Sequence, residues 1–224
     1  MHPIPHQPDA ALCTPQARPW VLANSILASS MVFIDGTVVN VALPALQQAF
    51  ESGVAGAQWV VEAYALLLTA LLLLGGAMGD RYGRRRVFAG GVLVFGAASA
   101  CCGLAQTIDQ LIWARALQGV GGALLVPGSL ALISASFPEQ LRGKAIGTWS
   151  GWTAITAAVG PVLGGFLVEH LSWRYAFLVN MPLVLAYWCW LSATCRKAAA
   201  AAAAGWTGPG RCWPGWRSAA WSTA

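Results

Sequence analysis

The sequence predicts an all-α, polytopic membrane protein, a bundle of six transmembrane helices, and three observations carry that reading. Hydrophobic residues make up 57% of the 224 and charged residues only 9%. Soluble domains carry about a quarter charged residues, so this chain has too little polar surface to coat a water-facing globule. Long, nearly uncharged apolar runs recur along the chain, and its mean hydropathy is +0.60. The 25 glycines suit helices that approach one another closely in lipid.

Residues 1–17 are Pro- and His-containing and mostly polar, which predicts a disordered cytoplasmic lead. They are not read as a signal peptide, because the following apolar segment is too long for an h-region and contains Asp35. Residues 18–195 hold six candidate spans, each near the roughly 20 residues needed to cross the hydrocarbon core. They cover about Trp20–Leu43, Gln58–Met78, Val87–Ala105, Leu111–Ala135, Ala145–Val168 and Tyr175–Thr194.

The formal net charge is +5, and its placement matters more than its size. Arg81, Arg84, Arg85 and Arg86 crowd one connection, and Arg142 with Lys144 occupy another. Each cluster lies between apolar spans, so it reads as a topology signal and not as a nucleic-acid surface. The opposite side has Arg174 beside acidic Glu51, Asp109 and Glu169. The positive-inside rule then places both ends of the six-helix unit in the cytoplasm, in the inner membrane if the source is bacterial. Trp20, Trp59, Trp149 and Trp173 fall near span ends, where interfacial indoles are expected.

Nothing in the sequence calls for a metal or a cofactor. Six cysteines lack ligand spacing, Cys101 and Cys102 read as packing residues inside an apolar run, and three histidines are scattered. A membrane-embedded enzyme would need clustered His, Ser or carboxylate groups, and the sequence offers none.

Two ionised residues stand out. Asp35 lies well inside the first span, where a carboxylate costs several kcal/mol on insertion scales and must face a cavity or a partner. That makes it a candidate site of reversible protonation. Structurally it can instead serve as a hydrogen-bonding anchor to a neighbouring helix. Arg115 lies in the fourth span and keeps its proton, so burial demands an anionic or carbonyl partner, unless it snorkels to the outer interface. Gln118, Gly119 and Gly122 follow at spacings that share its helix face.

Around these residues the string Asp35-Gly36-Thr37-Val38-Val39-Asn40-Val41-Ala42-Leu43-Pro44 resembles the first-helix signature of the fourteen-helix drug:proton antiporters of the major facilitator superfamily. Asp35, Thr37, Asn40 and Pro44 carry that match. The segment Gly76-Ala77-Met78-Gly79-Asp80-Arg81-Tyr82-Gly83-Arg84-Arg85-Arg86 is similar to the superfamily's loop between helices 2 and 3. Gly83 permits a tight turn there, and Asp80 can accept charge-assisted bonds from nearby arginines. The resemblance implies a cytoplasmic latch that holds the outward-facing state against a C-terminal half. The Arg115, Gln118, Gly119 and Gly122 string resembles the family's helix-4 motif, whose Arg is implicated in proton coupling.

Gly147, Gly151, Ala154, Ala158, Pro161 and Gly165 recur at spacings of three and four, predicting a smooth face for close helix packing, with a kink at Pro161. Together Gly151, Gly160, Pro161, Gly164 and Gly165 resemble the helix-5 motif of antiporters, which implies export and not uptake. Ser172-Trp173-Arg174-Tyr175-Ala176-Phe177-Leu178-Val179-Asn180-Met181-Pro182 resembles the lead into helix 6, with Arg174 expected to pair with Glu169. Glu62 departs from the uncharged residue common in helix 2, and is either interfacial or a second carboxylate for cationic substrates.

The resemblance implies a proton-coupled exporter of small hydrophobic or drug-like molecules. Its partners are the substrate, protons, membrane lipid and a missing C-terminal half, because such transporters hold substrate between two bundles. A non-transporting six-helix fragment or regulatory membrane protein is the alternative. Residues 196–224 form a low-complexity tail, an alanine run followed by a Trp-, Gly- and Pro-rich stretch without helical periodicity. A frameshift after helix 6 accounts for that tail, since a shifted reading of residues 205–224 can spell a segment similar to the start of helix 7. A surface amphipathic tail is the other account of it.

Overall fold

The computed structural model describes residues 18–203, with side chains through Leu191. The lead at 1–17, the end of the tail at 204–224 and the frameshift reading of that tail lie outside the described residues.

Seven helices follow in order: α1 (Arg18–Ala49), α2 (Val54–Tyr82), α3 (Arg84–Leu104), α4 (Ile108–Ser136), α5 (Glu139–His170), the short α6 (Tyr175–Leu178) and α7 (Asn180–Ala203). The first five are long and apolar enough to cross a membrane. A 29-residue helix such as α2 is about 43 Å long at the helical rise, well beyond the roughly 30 Å hydrocarbon core. That excess corrects the expected boundaries. Charges outside the core do not end a helix, so helical structure continues until a residue that cannot hold it.

Consequently the supposed Asp80–Arg86 loop is mostly helix. Asp80 and Arg81 sit in the last turn of α2 and Arg84, Arg85 and Arg86 in the first turn of α3, leaving Gly83 as the sole connector. Its φ of 96° is open to glycine and strained for other residues. Likewise the Glu139–Lys144 segment forms the start of α5, and the break falls at Pro138. At α4 the Thr107 side chain caps the helix by accepting from the Gln110 N–H.

The sixth expected span is interrupted. After α6, Val179 leaves the helix for one residue and α7 restarts at Asn180, so the described apolar stretch Tyr175–Leu191 is shorter than the other five.

α4 is the centre of the bundle, packed along α2 and α3 and against α1, while α1 lies along α5. The α2–α4 seam needs glycine. A Cβ on Gly119 would come 2.5 Å from the Tyr64 carbonyl oxygen, and one on Gly122 would press on Leu68 at 3.0 Å. Two apolar clusters flank the polar centre, one around Phe88, Phe95, Leu125 and Tyr187, the other around Leu46, Val60, Leu111 and Phe177.

Along α5 the face that packs is not the expected one. Ala145, Trp149, Thr153, Gly160 and Gly164 are its buried residues. Gly147, Gly151, Ala154, Ala158 and Pro161 are exposed on the far side, and nothing stands within 4 Å of a Cβ built on Gly147, Gly151 or Gly165. Positions three and four apart define one stripe but do not say which of two small-residue stripes a neighbour takes. α5 runs helical through Pro161, as α1 does through Pro44.

The tryptophans divide. Trp20 and Trp59 are about half exposed, at 50% and 52%. Trp149 is instead buried between α5 and α1, its Nε1 donating to Ser29 Oγ at 3.0 Å, and Trp173 is buried against Phe50 and Phe177. An indole with a reachable hydroxyl can satisfy its N–H inside the bundle and needs no interface.

Candidate functional site

Asp35 and Arg115, 80 residues apart, meet at the centre of the bundle. Asp35 is 0% exposed and Arg115 1%. Arg115 Nη1 donates to Asp35 Oδ2 at 2.5 Å, and the same nitrogen donates to Gln118 Oε1 at 2.8 Å. Its Nε donates to the Val60 carbonyl at 3.1 Å, so the guanidinium has both kinds of partner that burial requires. The ring of Tyr64 lies 4.1 Å from Cζ, adding a cation–π contact, with the Phe177 ring further off at 5.8 Å. Arg115 therefore points into the bundle and does not snorkel outward.

The second carboxylate oxygen is held by amides. Asp35 Oδ1 accepts from Gln118 Nε2 at 2.8 Å and from Asn180 Nδ2 at 3.2 Å. Both amides also donate to Ser99 Oγ, at 3.3 Å and 3.0 Å, and that hydroxyl donates to the Phe177 carbonyl at 2.9 Å. Cys102 Sγ lies 3.6 Å from Gln118 Oε1. Donors from α4 and α7 thus hold the α1 carboxylate, while α2 supports Arg115, the α3 hydroxyl holds both amides, and α6 contributes a carbonyl. This acid and this base sit together fully buried, where each polar bond is stronger than in water and each missing bond costlier.

Asn180, Ser99 and Tyr64 join this cluster without having been singled out for it by sequence. The signal was present for Asn180, an amide inside the apolar run Ala176–Leu185, since an unpaired amide in lipid is expensive. Ser99 offered less, because serine is tolerated widely at helix contacts. Of the adjacent cysteines, Cys102 is buried and Cys101 is exposed.

The other motif residues lie elsewhere. Thr37 donates to the Phe33 and Ile34 carbonyls of its own helix and faces Gly160, where any Cβ would overlap its hydroxyl. Gly164 admits the Val38 backbone in the same way. Asn40 is exposed and donates to the Gly36 carbonyl at 2.9 Å, and Pro44 is exposed as well. Glu62 is exposed on α2.

At the basic end Arg84 reaches Asp80 with Nε and Nη2, both at 2.9 Å, and donates Nη1 to the Ala131 carbonyl of α4 at 3.1 Å. The pair is largely exposed, so by itself it stabilises little. Its bond to Ala131 ties the α2–α3 junction to α4. Gly76 makes ordinary contact toward Pro127 of α4, and Arg81 lies over the Tyr82 ring at 5.7 Å. Arg85 lines a small cavity with Asn24, Ser25 and Phe88, and Arg86 is exposed. At the other end Arg174 does not take Glu169 as its partner. It donates to the Gly103 carbonyl at 2.7 Å and lies over Trp173, because the last carbonyls of α3 are unsatisfied acceptors within reach.

Comparison with known proteins now bears on this arrangement. The chain is 47% identical over 169 residues to the puromycin resistance protein pur8 of Streptomyces alboniger, a match covering 75% of this chain and 34% of that protein. It is 44% identical over 176 residues to the drug efflux pump JefA of Mycobacterium tuberculosis, covering 78% of this chain and 34% of the pump. The chain therefore spans about a third of the length of these curated relatives. Its fold matches a bacterial homolog of the human lysosomal transporter Spinster, solved in an inward-facing and occupied conformation, with a TM-score of 0.67 and 22% identity over 79% of this chain and 44% of that one. The profile of the Major Facilitator Superfamily matches residues 25–221, including most of the tail. On that match, with its apolar helices, this is a multi-pass integral membrane protein, and it belongs to the Major Facilitator Superfamily.

Proposed function

We propose that this chain forms the first six-helix unit of a proton-coupled exporter of small hydrophobic or drug-like molecules, of the fourteen-helix antiporter type. The observation that carries the reading is the fully buried Asp35 carboxylate, fastened to Arg115 and to two amides at the crossing of α1, α2, α3, α4 and α7. A lone buried ion pair among apolar helices stabilises a fold weakly at best, and well-packed apolar residues in its place are often as stable. Its use lies in having two states, with Asp35 ionised and paired to Arg115 or protonated and released from it.

In this mechanism Asp35 takes up a proton from the outer side and gives it up on the cytoplasmic side. Losing the proton restores the charge that pairs with Arg115, so proton release and re-formation of the ion pair occur together. Drug and proton bind alternately, and rearrangement of this bundle against a second one moves the drug outward. The basic end, with Asp80 and Arg84 joined to Ala131, faces the cytoplasm of a bacterial inner membrane and serves as the latch. Gly76, Arg81, Gly83, Arg85 and Arg86 belong to the same device. The exposed Gly151 and Pro161 face of α5 is where the second bundle packs. Thr37, Gly160 and Gly164 hold α1 and α5 together behind the proton site.

Drug export from cells carrying this unit joined to its second bundle tests the reading. Asp35→Asn abolishes gradient-driven export of a panel of apolar aromatic drugs while the protein stays in the membrane at normal abundance. Undiminished, gradient-dependent export by that variant overturns the assignment.

A further inference from the structure

We infer that the basic end of the bundle holds a small monoatomic anion, chloride in a cell, in the cavity between α1, α3, α4 and α7. The site shares no residue with the Asp35 cluster, and it does not depend on the proton reading given above.

The cavity has a volume of about 10 Å3, the room of one water molecule. Asn24 and Ser25 of α1, Arg85 of α3 and Tyr187 of α7 supply its polar lining, and Phe88 and Leu132 form apolar wall. Ser25 is fully buried, Tyr187 is 2% exposed and Asn24 9%. The Ser25 hydroxyl has no hydrogen-bond partner. Among the described residues the Asn24 amide and the Tyr187 hydroxyl have none either. Buried polar groups almost always find partners, because an orphan keeps the full penalty of leaving water. Three such groups around one small space are therefore a place built for an occupant that bonds to all of them.

Size admits a water or a single ion, and charge decides between them. All four polar side chains can donate: Arg85 through its guanidinium, Asn24 through its NH2 group, Ser25 and Tyr187 through their hydroxyls. Arg85 cannot accept, and no carboxylate lies among the lining residues, which rules out a cation. The surroundings are positive. α3 begins here with Arg84, Arg85 and Arg86, has no acid in its first turn and has no side-chain cap on Gly83. The positive end of the helix and three guanidiniums then add in the same sense. Asp80, the acid just before the Gly83 junction, is taken up by Arg84. A water satisfies hydrogen bonds but leaves that charge standing, whereas an anion offsets it.

A halide accepts from every direction and so uses all four donors at once. Polyatomic anions such as phosphate are too bulky for the room of one water. Arg85 is half-buried, the least buried of the four, so an ion enters past it. Its long, flexible side chain gives way to an ion slightly larger than water. Bound there, the anion ties α1 to α3 and α7 beside the Gly83 junction.

The full native chain, purified in mild detergent and unfolded by heat, provides the test, with chloride replacing gluconate at constant total salt. The expected result is a midpoint that rises by an equal step for each tenfold increase in chloride, as mass action at one site requires. Bromide gives the same rise, and methanesulfonate, monovalent but polyatomic, gives none. Arg85→Gln removes the charged donor and Ser25→Val fills the space with a methyl, so each flattens the rise. A midpoint indifferent to chloride overturns the inference, as does a rise that both variants keep or that methanesulfonate matches. Bromide located by its anomalous X-ray signal in crystals of the native chain needs no substitution, so a variant that fails to fold does not decide the matter. That signal is expected among Asn24, Ser25, Arg85 and Tyr187. A water at that place overturns the anion, and so does an adventitious ion only, meaning bromide in the crystal without any response in solution.

Discussion

Replacing Arg115 by leucine while Asp35 stays in place strands a carboxylate among apolar helices. Arg115 makes three hydrogen bonds, to Asp35, Gln118 and the Val60 carbonyl, and only the amides of Gln118 and Asn180 remain to the acid afterwards. Removing one partner of a buried pair costs about 3–5 kcal/mol, because the other charge is left uncompensated. Asp35→Asn leaves the guanidinium with two carbonyl acceptors and the Tyr64 ring, and its cost falls toward the lower end of that range. The double substitution removes both charges together, so its cost approaches that of the worse single change. The two losses should then fall short of additivity by about 3 kcal/mol, the upper end of couplings for residues in contact. The measurement is SDS-driven unfolding of the purified chain in mild detergent, followed by helicity and tryptophan fluorescence. Losses that add within about 0.5 kcal/mol would refute the energetic coupling claimed for this pair.

Three further outcomes follow from the packing and the orientation. Gly160→Val forces a side chain onto Thr37 and should cost about 1–3 kcal/mol, whereas Gly151→Ala on the exposed face should stay within about 0.5 kcal/mol, both read by the same unfolding assay. Gly83→Ala places a Cβ at a φ of 96° and should cost about 1–3 kcal/mol, with equal stability counting against strain at that junction. A cysteine at exposed Gly143 should react with an impermeant thiol reagent from the cytoplasm alone and one at exposed Gly53 from outside alone, in a chain cleared of its native thiols. The reverse pattern inverts the orientation.

Much of the architecture was legible before any coordinates. Apolar runs announced the spans, and Asp35 and Arg115 stood out as two ions that lipid cannot hold singly. That each is the other's partner came from the structure, since the sequence left a cavity open to Asp35 and a carbonyl or the outer interface open to Arg115. What sequence hid was of three kinds. Helix ends were misplaced because arginines beyond the hydrocarbon permit helix, so the α2–α3 connection shrank to Gly83. The packed face of α5 was misassigned because two small-residue stripes share that helix, and only the position of α1 selects Gly160 and Gly164 over Gly151 and Gly165. Around Asp35, Ser99 was missed because serine is ordinary at helix contacts, and Asn180, though conspicuous in its apolar run, because its partner lies 145 residues away. Their meaning comes from helices that tertiary packing alone brings together.

The account stands or falls on whether drug binding and proton release at Asp35 are one event. Proton release into weakly buffered solution, recorded when drug is added to the purified transporter containing this unit and its second bundle, measures that directly. The account predicts release from the native protein and none from Asp35→Asn, with both forms folded. Equal release from the two would contradict it.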